Sequence, residues 1–404
     1  MKKAFERREF LKGGLATLGL GVLAGPSESL AQANVQDRVQ RYVPLGRTGM
    51  RISDISFGSS QTTDPAVVRH AFEQGVNYFD TAEGYNEGLS EEAIGQALSG
   101  SRDQIYLASK VKCMPETTQS ELMKSLEGSL SRLRTDYVDV YFNHAVNSVD
   151  RLKNDEWYEF VSKAKAQGKL RFTGMSGHSG RLGECLEYVI THDAVDVVLV
   201  SYNYGQDPGF LKSLMKDFDL ISVQPNLLQQ LAKAHEKGIG VIAMKTLRGA
   251  RRHDIAAFEK PGLTFPQAAF SWVLSNPNVD GLIVSMKSPE QVDEYLEASG
   301  SRTPRGAALP LLHQYLASEQ SDYCNHGCEI CHDSCPNGVA INEVLRTRMY
   351  ATHYGNLDYA RKDYARLESG ASACSSCSHQ SCLGQCPSGL SVAQLTRSAH
   401  KMLS

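Results

Sequence analysis

Residues 105–144 read IYLASKVKCMPETTQSELMKSLEGSLSRLRTDYVDVYFNH. Two apolar runs, Ile105–Lys110 and Val138–His144, enclose a stretch, Thr117–Leu133, whose apolar residues recur at helical spacing. Each run is continuously apolar rather than alternating, which is typical of a parallel strand covered by helices. The segment therefore predicts a β-α-β unit with two buried strands.

The same unit recurs on both sides of this segment. Helix-like stretches separate six further apolar runs, so β and α alternate eight times in about 260 residues, which is the size of a (β/α)8 TIM barrel. We predict an α/β fold with this barrel over residues 40–300 and a hairpin, Arg41–Met50, that closes its bottom. The other predicted strands are Ile52–Ser59, Tyr78–Ala82, Arg171–Ser176, Val195–Asn203, Gly240–Leu247 and Gly281–Met286.

Four polar residues stand where the second, third and fourth predicted strands stop: Asp80, Tyr85, Lys110 and His144. The C-terminal strand ends of a TIM barrel carry its active site. Reduction of a carbonyl needs a proton at oxygen, and a phenol is a poor acid at neutral pH unless a cation stabilises its anion. We predict that Tyr85 is the general acid/base, that Asp80 and Lys110 tune it, and that His144 orients the substrate.

These residues lie in motifs that resemble the aldo/keto reductase superfamily, in its bacterial branch with an iron–sulfur extension. The resemblance covers residues 40–300 and implies carbonyl–alcohol oxidoreductase activity, with Asp80, Tyr85, Lys110 and His144 as the catalytic tetrad. The matching stretches are Tyr42-Val-Pro-Leu-Gly-Arg-Thr-Gly49, Phe79-Asp-Thr-Ala-Glu-Gly-Tyr85, Ser90-Glu-Glu-Ala-Ile-Gly-Gln-Ala-Leu98, Ala108-Ser-Lys110 and Tyr137-Val-Asp-Val-Tyr-Phe-Asn-His144.

The residues that bind the nucleotide in this family are matched less well in this sequence. Gly177 stands for the usual Asn, Leu199 for Gln, Met244 for a Tyr that stacks on nicotinamide, and Gln291 for a phosphate-binding Arg. Two alternatives follow: NADP(H) held tightly and recycled in place, which we favour, or a barrel that uses no nucleotide. The residues at which we expect cofactor contacts are Ser176, Tyr202, Lys245, Lys287 and Ser288.

Eight of the ten cysteines fall in two runs near the C-terminus, and each run ends in Cys-Pro. This pattern resembles the two-cluster bacterial ferredoxins, in which three cysteines of a run bind one [4Fe–4S] cluster and the fourth binds the other. The resemblance implies a ferredoxin-like domain over residues 320–404 with two [4Fe–4S] clusters. The implied ligands are Cys324, Cys328, Cys331 and Cys335 in the first run and Cys374, Cys377, Cys382 and Cys386 in the second.

Three other interpretations of the cysteines remain open. An exported protein can carry disulfides, and four thiolates can bind zinc. Cys328-Glu-Ile-Cys331-His332 also matches the haem-attachment pattern. The doubled Cys-Pro ending favours iron–sulfur clusters.

Residues 1–33 have the layout of a signal peptide: Arg7-Arg8 before Phe-Leu-Lys, an apolar run from Gly13 to Gly25, and Ala31-Gln32-Ala33. The arginine pair and the glycine-rich run favour a twin-arginine signal over an ordinary secretory one. The apolar run is too short for a stable membrane anchor. We therefore predict export of the folded protein to the periplasm.

The formal net charge is -3 and no long basic run occurs, so nothing indicates nucleic-acid binding. The predicted partners are a small carbonyl or alcohol substrate and an electron-transfer protein. The alternative is a non-catalytic electron-transfer or binding protein that uses the barrel as a scaffold.

Overall fold

The computed structural model describes residues 38–179, 181–207, 226–248, 259, 262–303, 306, 308–318, 324, 328, 330–352, 356–367, 369–386 and 389–404. The predicted signal peptide, 1–33, lies outside these residues. The described residues belong to one compact unit that starts at Asp37. Within the described residues, no helix is both long enough and apolar enough to cross a membrane.

Eight parallel strands close into a barrel, which confirms the predicted fold. Consecutive strands are neighbours, and the last pairs with the first. The barrel strands are β3 (Ile55–Gly58), β4 (Tyr78–Asp80), β5 (Tyr106–Val111), β6 (Val138–Asn143), β7 (Leu170–Gly177), β8 (Val197–Ser201), β9 (Gly240–Met244) and β10 (Gly281–Ser285).

Helices cover the outside of the barrel, and caps fix several of their starts. The Thr118 hydroxyl accepts from Glu121 N while the Glu121 carboxylate accepts from Thr118 N, a reciprocal capping box. The helices described in this region are α1 (Pro65–Glu73), α2 (Leu89–Leu98), α3 (Gln119–Leu133), α4 (Asp155–Ala166), α5 (Leu182–Thr191), α6 (Leu227–Glu236), α7 (Phe265–Leu274) and α8 (Pro289–Leu296).

A hairpin of β1 (Tyr42–Pro44) and β2 (Arg51–Ser53) precedes the barrel. Its Leu45 and Met50 pack in one apolar cluster with interior barrel residues such as Tyr78 and Phe142, so it closes the N-terminal end as predicted. The turn approaches β9 so closely that a Cβ on Gly46 would lie 2.3 Å from Gly240 N.

The predicted first strand, Ile52–Ser59, is wrong at its start. Arg51–Ser53 pairs with Tyr42–Pro44 in the hairpin, and the barrel strand starts at Ile55. The intervening Asp54 is buried, and its carboxylate accepts from the Ser299 hydroxyl at 2.6 Å and from Gly300 N at 2.8 Å. This contact with a remote segment separates the two strands.

The chain beyond the barrel is helical. Two helices lie between residues 341 and 367. A small core of Val344, Val392 and Leu403 holds the C-terminal elements together, and several of the cysteines pack against it. The helices described in this region are α9 (Ala308–Ser318), α10 (Ile330–Asp333), α11 (Ile341–Thr352), α12 (Leu357–Tyr364) and α13 (Val392–Leu403). The ferredoxin-like character of this region stays a prediction.

Candidate active site

The four predicted catalytic residues meet at the C-terminal mouth of the barrel. Asp80 is the last residue of β4, Lys110 is the next-to-last of β5, and His144 directly follows β6. Tyr85 begins a short 3-10 turn after β4. Asp80, Lys110 and His144 are buried, whereas Tyr85 is partly exposed.

Lys110 is held by two oxygens of the neighbouring strand end. Its ammonium donates to the Asp80 carboxylate and to the Thr81 carbonyl, the latter at 2.6 Å. The ammonium also lies 4.9 Å from the centre of the Tyr85 ring. Burial lowers the pKa of Lys110, and the Asp80 carboxylate partly offsets this effect. The pair thus fixes a cation beside the phenol.

The Tyr85 and His144 rings meet edge to face, with centroids 5.6 Å apart and planes at 82°. Burial, and then the Asp80 carboxylate, raise the pKa of Tyr85 well above its ordinary value. The Lys110 ammonium donates to Asp80 rather than to the phenol, and its stabilisation of the phenolate stays a prediction. Tyr85 is a protonated phenol at neutral pH, which is the form that donates a proton.

His144 is neutral, and Arg151 binds the backbone at and after this residue. Burial, followed by the nearby cations Lys110, Lys112 and Arg151, lowers the pKa of His144 well below its ordinary value. The buried Arg151 guanidinium donates to the carbonyls of Cys113, His144 and Ala145 at 2.7–2.8 Å. Arg151 lies in no recognisable sequence motif, yet it fixes the turn after β6.

A cavity of about 480 Å³ opens at this mouth. All four tetrad residues line it, together with three of the five predicted cofactor residues: Ser176, Lys245 and Lys287. The cavity combines the proposed proton donor with cationic side chains that can meet phosphate or carboxylate oxygens.

The other two predicted cofactor residues do not line this cavity. Tyr202 is buried against Trp272, with ring centroids 5.0 Å apart, and its hydroxyl accepts from the Asn276 amide at 3.1 Å. Its assignment to the cofactor site is therefore not supported. Ser288 caps α8 by accepting from Gln291 N at 3.4 Å.

Lys245 occupies a special position at the end of β9. Its φ is +56°, an unusual conformation for a residue other than glycine. Burial, followed by the nearby Arg346, lowers the pKa of Lys245 to about 7. An anion bound beside it would favour its charged form.

Several cavity residues were missed by the sequence analysis. Arg248 and His178 follow barrel strands, but their neighbourhoods match no motif. The others come from the region after the barrel, where clustered Tyr and Arg between the cysteine runs were the available signal. These residues are Tyr350, Asn356 and Tyr359.

The eight C-terminal cysteines interact electrostatically, and most of these interactions fall within two sets, although Cys331 also interacts with Cys382 of the other set. Burial, and then Cys328, Cys331 and Cys386, raise the pKa of Cys324 well above its ordinary value. Burial likewise raises the pKa of Cys382, with contributions from Cys374, Cys335 and Cys377. Each set therefore contains three cysteines of one run and the last cysteine of the other.

The geometry does not correspond to a single-ion site. Among the residues the structure describes, which include all eight cysteines, no group of three or more His, Cys, Asp or Glu side chains could hold a metal ion. Among the described residues, no disulfide involves Cys331, Cys335, Cys374, Cys377 or Cys382.

Comparison with known proteins adds three findings. The model of the family described as "Aldo/keto reductase family" matches residues 49–303. L-galactose dehydrogenase of Arabidopsis thaliana is 30% identical over 277 residues, which cover 63% of this chain and 86% of that protein. L-glyceraldehyde 3-phosphate reductase of Escherichia coli is 23% identical, and the match covers 69% of this chain and 92% of that protein.

Solved structures agree on the barrel. An aldo-keto reductase from Klebsiella pneumoniae in complex with NADPH has a TM-score of 0.53 and 26% identity, with 68% of this chain and 94% of that one covered. An aldo-keto reductase from Bacillus halodurans has a TM-score of 0.53 and 20% identity, with 67% and 96% covered, which supports the fold alone.

Proposed function

The chain belongs to the aldo/keto reductase family and is an oxidoreductase, and from that premise we propose that it interconverts a carbonyl and an alcohol on a small polyhydroxylated substrate. The observation that carries the proposal is the meeting of Asp80, Tyr85, Lys110 and His144 in one cavity. A scaffold without catalysis would not need a protonated phenol, a buried ion pair and a neutral imidazole at one mouth.

Each residue of the tetrad has a part in moving one proton. The Tyr85 hydroxyl donates it to the carbonyl oxygen in reduction and its anion accepts it back in oxidation. The Lys110 ammonium, 4.9 Å from the ring, favours the phenolate that forms, and Asp80 keeps that ammonium oriented. The neutral His144 ring beside Tyr85 hydrogen-bonds the carbonyl oxygen.

The proposed substrate class rests on the relatives and on the cavity. Two relatives carry the names of sugar-type substrates, L-galactose and L-glyceraldehyde 3-phosphate. The cavity is small and is lined by hydroxyl and amide groups that can bond a substrate's hydroxyls, including Ser60 and Asn356.

For the hydride carrier we propose tightly held NADP(H), which supplies hydride when bound. The Klebsiella relative binds NADPH, and Lys245, Arg248 and Lys287 line the cavity here as candidate phosphate contacts. Gly177 supplies no amide for the nicotinamide. A Cβ at this position would lie 2.8 Å from the Leu182 Cδ1 atom, so the Leu182 side chain would have to shift to admit a larger residue.

Stopped-flow mixing with NADPH and an aldehyde tests this carrier. We expect nucleotide to be released on denaturation and expect no fast multiple turnover from added NADPH. Rapid, saturable NADPH oxidation would show an ordinary exchange of nucleotide instead.

We further propose that the two thiol sets hold two [4Fe–4S] clusters, which supply one-electron transfer when present. Each set combines three cysteines of one run with the last cysteine of the other run, as in two-cluster ferredoxins. A cubane spaces its four thiolates more widely than one zinc ion does, so a set need not fit a single ion in order to hold a cluster.

We also propose, from the sequence alone, that the protein is exported. Arg7-Arg8 and the apolar run favour the twin-arginine route. That route carries folded proteins, so clusters and nucleotide would be inserted before transport.

Replacement of Tyr85 by Phe tests the catalytic proposal. Tyr85→Phe keeps the ring but removes the proton donor, so carbonyl reduction should fall by about two orders of magnitude or more. Tyr188→Phe, on α5 and away from the cavity, is the matched control and should keep full activity. Near-normal turnover in Tyr85→Phe would show that another group supplies the proton.

A further inference from the structure

The mouth cavity is roofed by residues from beyond the family's barrel. Tyr350 of α11, and Asn356 and Tyr359 at the start of α12, line the same cavity as the tetrad. We call these three residues the roof. The family match ends at residue 303, so the roof belongs to a part of the chain that the family model does not cover.

Tyr350 contacts two strand ends of the barrel. Its hydroxyl lies 3.2 Å from the His178 Nε2 atom, next to the end of β7. The Lys245 ammonium, after β9, lies 4.8 Å from the centre of its ring. Tyr350 therefore spans the mouth between β7 and β9.

Tyr359 reaches the catalytic side of the cavity. Its ring meets the Tyr350 ring edge to face, with centroids 4.8 Å apart, and the Lys112 ammonium lies 5.4 Å from its centre. Burial, then Asp363, and also Tyr85 raise the pKa of Tyr359, so the two phenols are electrostatic neighbours. A substrate carbonyl at Tyr85 would place its remaining atoms near Tyr359.

Ion pairs of α12 fix the position of Tyr359 at the barrel mouth. The Asp363 carboxylate of α12 lies 2.8 Å from both the Lys112 ammonium and the Arg346 guanidinium, and the Asp363 side chain is only 10% exposed. Lys362 also pairs with Glu87 at 2.9 Å, but both side chains are exposed and this pair contributes little. The buried Asp363 contacts hold α12 against the strand end that carries Lys110.

We propose that Tyr359 contacts the substrate and determines, with Tyr350 and Asn356, which carbonyl compounds the enzyme accepts. This inference rests on the proposed carbonyl–alcohol function. The ring faces of the two tyrosines bound the substrate's carbon chain, and the Tyr359 hydroxyl and the Asn356 amide bond its hydroxyls. The roof thus selects a small hydroxylated aldehyde over an unsubstituted one.

Two three-carbon aldehydes test the roof. Glyceraldehyde carries hydroxyls and propanal does not. The anaerobic full-length protein is assayed with whichever donor, NADPH or reduced methyl viologen, sustains turnover. Tyr359→Phe should lower the kcat/KM preference for glyceraldehyde about five- to tenfold through KM, with kcat within about twofold, because only one hydroxyl contact is lost. Tyr359→Leu should raise KM for both aldehydes about tenfold.

Tyr364→Phe is the matched control on the same helix. The Tyr364 hydroxyl accepts from Ala371 N at 2.7 Å and does not face the mouth cavity. This variant loosens the same region, so a purely structural effect would appear here too. We expect its preference between the two aldehydes to equal that of the wild type.

Saturation-transfer NMR with glyceraldehyde reports binding independently of turnover. If the wild type binds glyceraldehyde but reduces no carbonyl, the proposed reaction fails, and loss of binding in Tyr359→Leu would still support the roof. Unchanged binding, KM and preference in both Tyr359 variants would overturn the inference, as would an equal change in Tyr364→Phe.

Discussion

The Lys112 ammonium lies 2.8 Å from the Asp363 carboxylate, which joins the strand of the catalytic lysine to a helix 251 residues further along the chain. Burial alone would raise the pKa of Asp363, but Arg346 and Lys112 outweigh it and hold that pKa well below its ordinary value. The carboxylate is therefore ionised and stabilises the folded state at neutral pH.

Asp363→Asn should lower the free energy of unfolding by about 3 kcal/mol at pH 7, because the half-buried Lys112 loses its carboxylate partner and Arg346 keeps only Glu343. The folded-state pKa is depressed, so the stabilisation is complete above the unfolded value of roughly 4 and decreases as pH falls towards the folded value. Urea unfolding at pH 7 and pH 3 should show a smaller difference between variant and wild type at pH 3.

Asp358→Asn is the control for this measurement, since Asp358 is exposed on the same helix. We expect a change of no more than about 0.5 kcal/mol. An Asp363→Asn protein as stable as this control would contradict the role of the buried pair.

The thiol sets predict iron content and the assignment of ligands to clusters. The anaerobic protein should contain about eight iron and eight sulfide per chain. Because the sets cross between runs, Cys386→Ser should alter the same electron paramagnetic resonance signal as Cys328→Ser. Cys335→Ser should alter the other signal, as Cys377→Ser does.

Cys113→Ser provides the control for the iron prediction, since this thiol is buried beside the barrel and lies in neither set. Its iron content should equal that of the wild type. Zinc in place of iron, a covalent haem band, or Cys386→Ser and Cys335→Ser altering one and the same signal would each contradict the proposed ligation.

We expect Lys245 to make the proposed nucleotide binding dependent on pH. With a pKa of about 7, lowered chiefly by burial, the side chain gains a proton as pH falls from 8 to 6. A bound phosphate prefers the protonated form, so NADP+ should bind several-fold more tightly at pH 6 than at pH 8. Fluorescence titration at the two pH values measures this.

Lys245→Met should remove that dependence. Lys237→Met, which precedes β9 at the opposite end of the barrel, should keep it. A pH dependence that survives in Lys245→Met would assign the titration to another group.

Export should depend on the arginine pair. With Arg7→Lys and Arg8→Lys together, unprocessed precursor should accumulate in the cytoplasm, because a folded protein cannot use a channel for unfolded chains. Fractionation with immunoblotting checks this, and the single variant Lys3→Arg should be exported normally. Normal processing of the double variant would show that the general secretory route suffices.

The barrel and its tetrad could be predicted because each depends on local pattern. A buried parallel strand is a continuous apolar run, and its C-terminal end is marked by a polar residue such as Asp80 or Lys110. The first strand boundary could not be predicted, since Asp54 owes its position to Ser299 and Gly300.

The position of the roof over the barrel mouth could not be predicted from the sequence for a related reason. The apolar spacing of α12 shows that one face is buried, but not which surface covers it. That surface is decided by Asp363 meeting Lys112, two residues that no local pattern connects. For Tyr202, local position suggested a contact that the fold does not make. Its place at a strand end suggested a ligand contact, but Trp272 packs against its ring.

The roof is also the last part of the mouth to be synthesised. Asp80, Tyr85, Lys110 and His144 all leave the ribosome more than two hundred residues before Tyr350 and Tyr359, and domains generally fold from the N-terminus during synthesis. A nascent barrel therefore has an open mouth until the final segment docks. For the proposed dinucleotide, translation itself would provide an interval for entry before the roof covers the mouth.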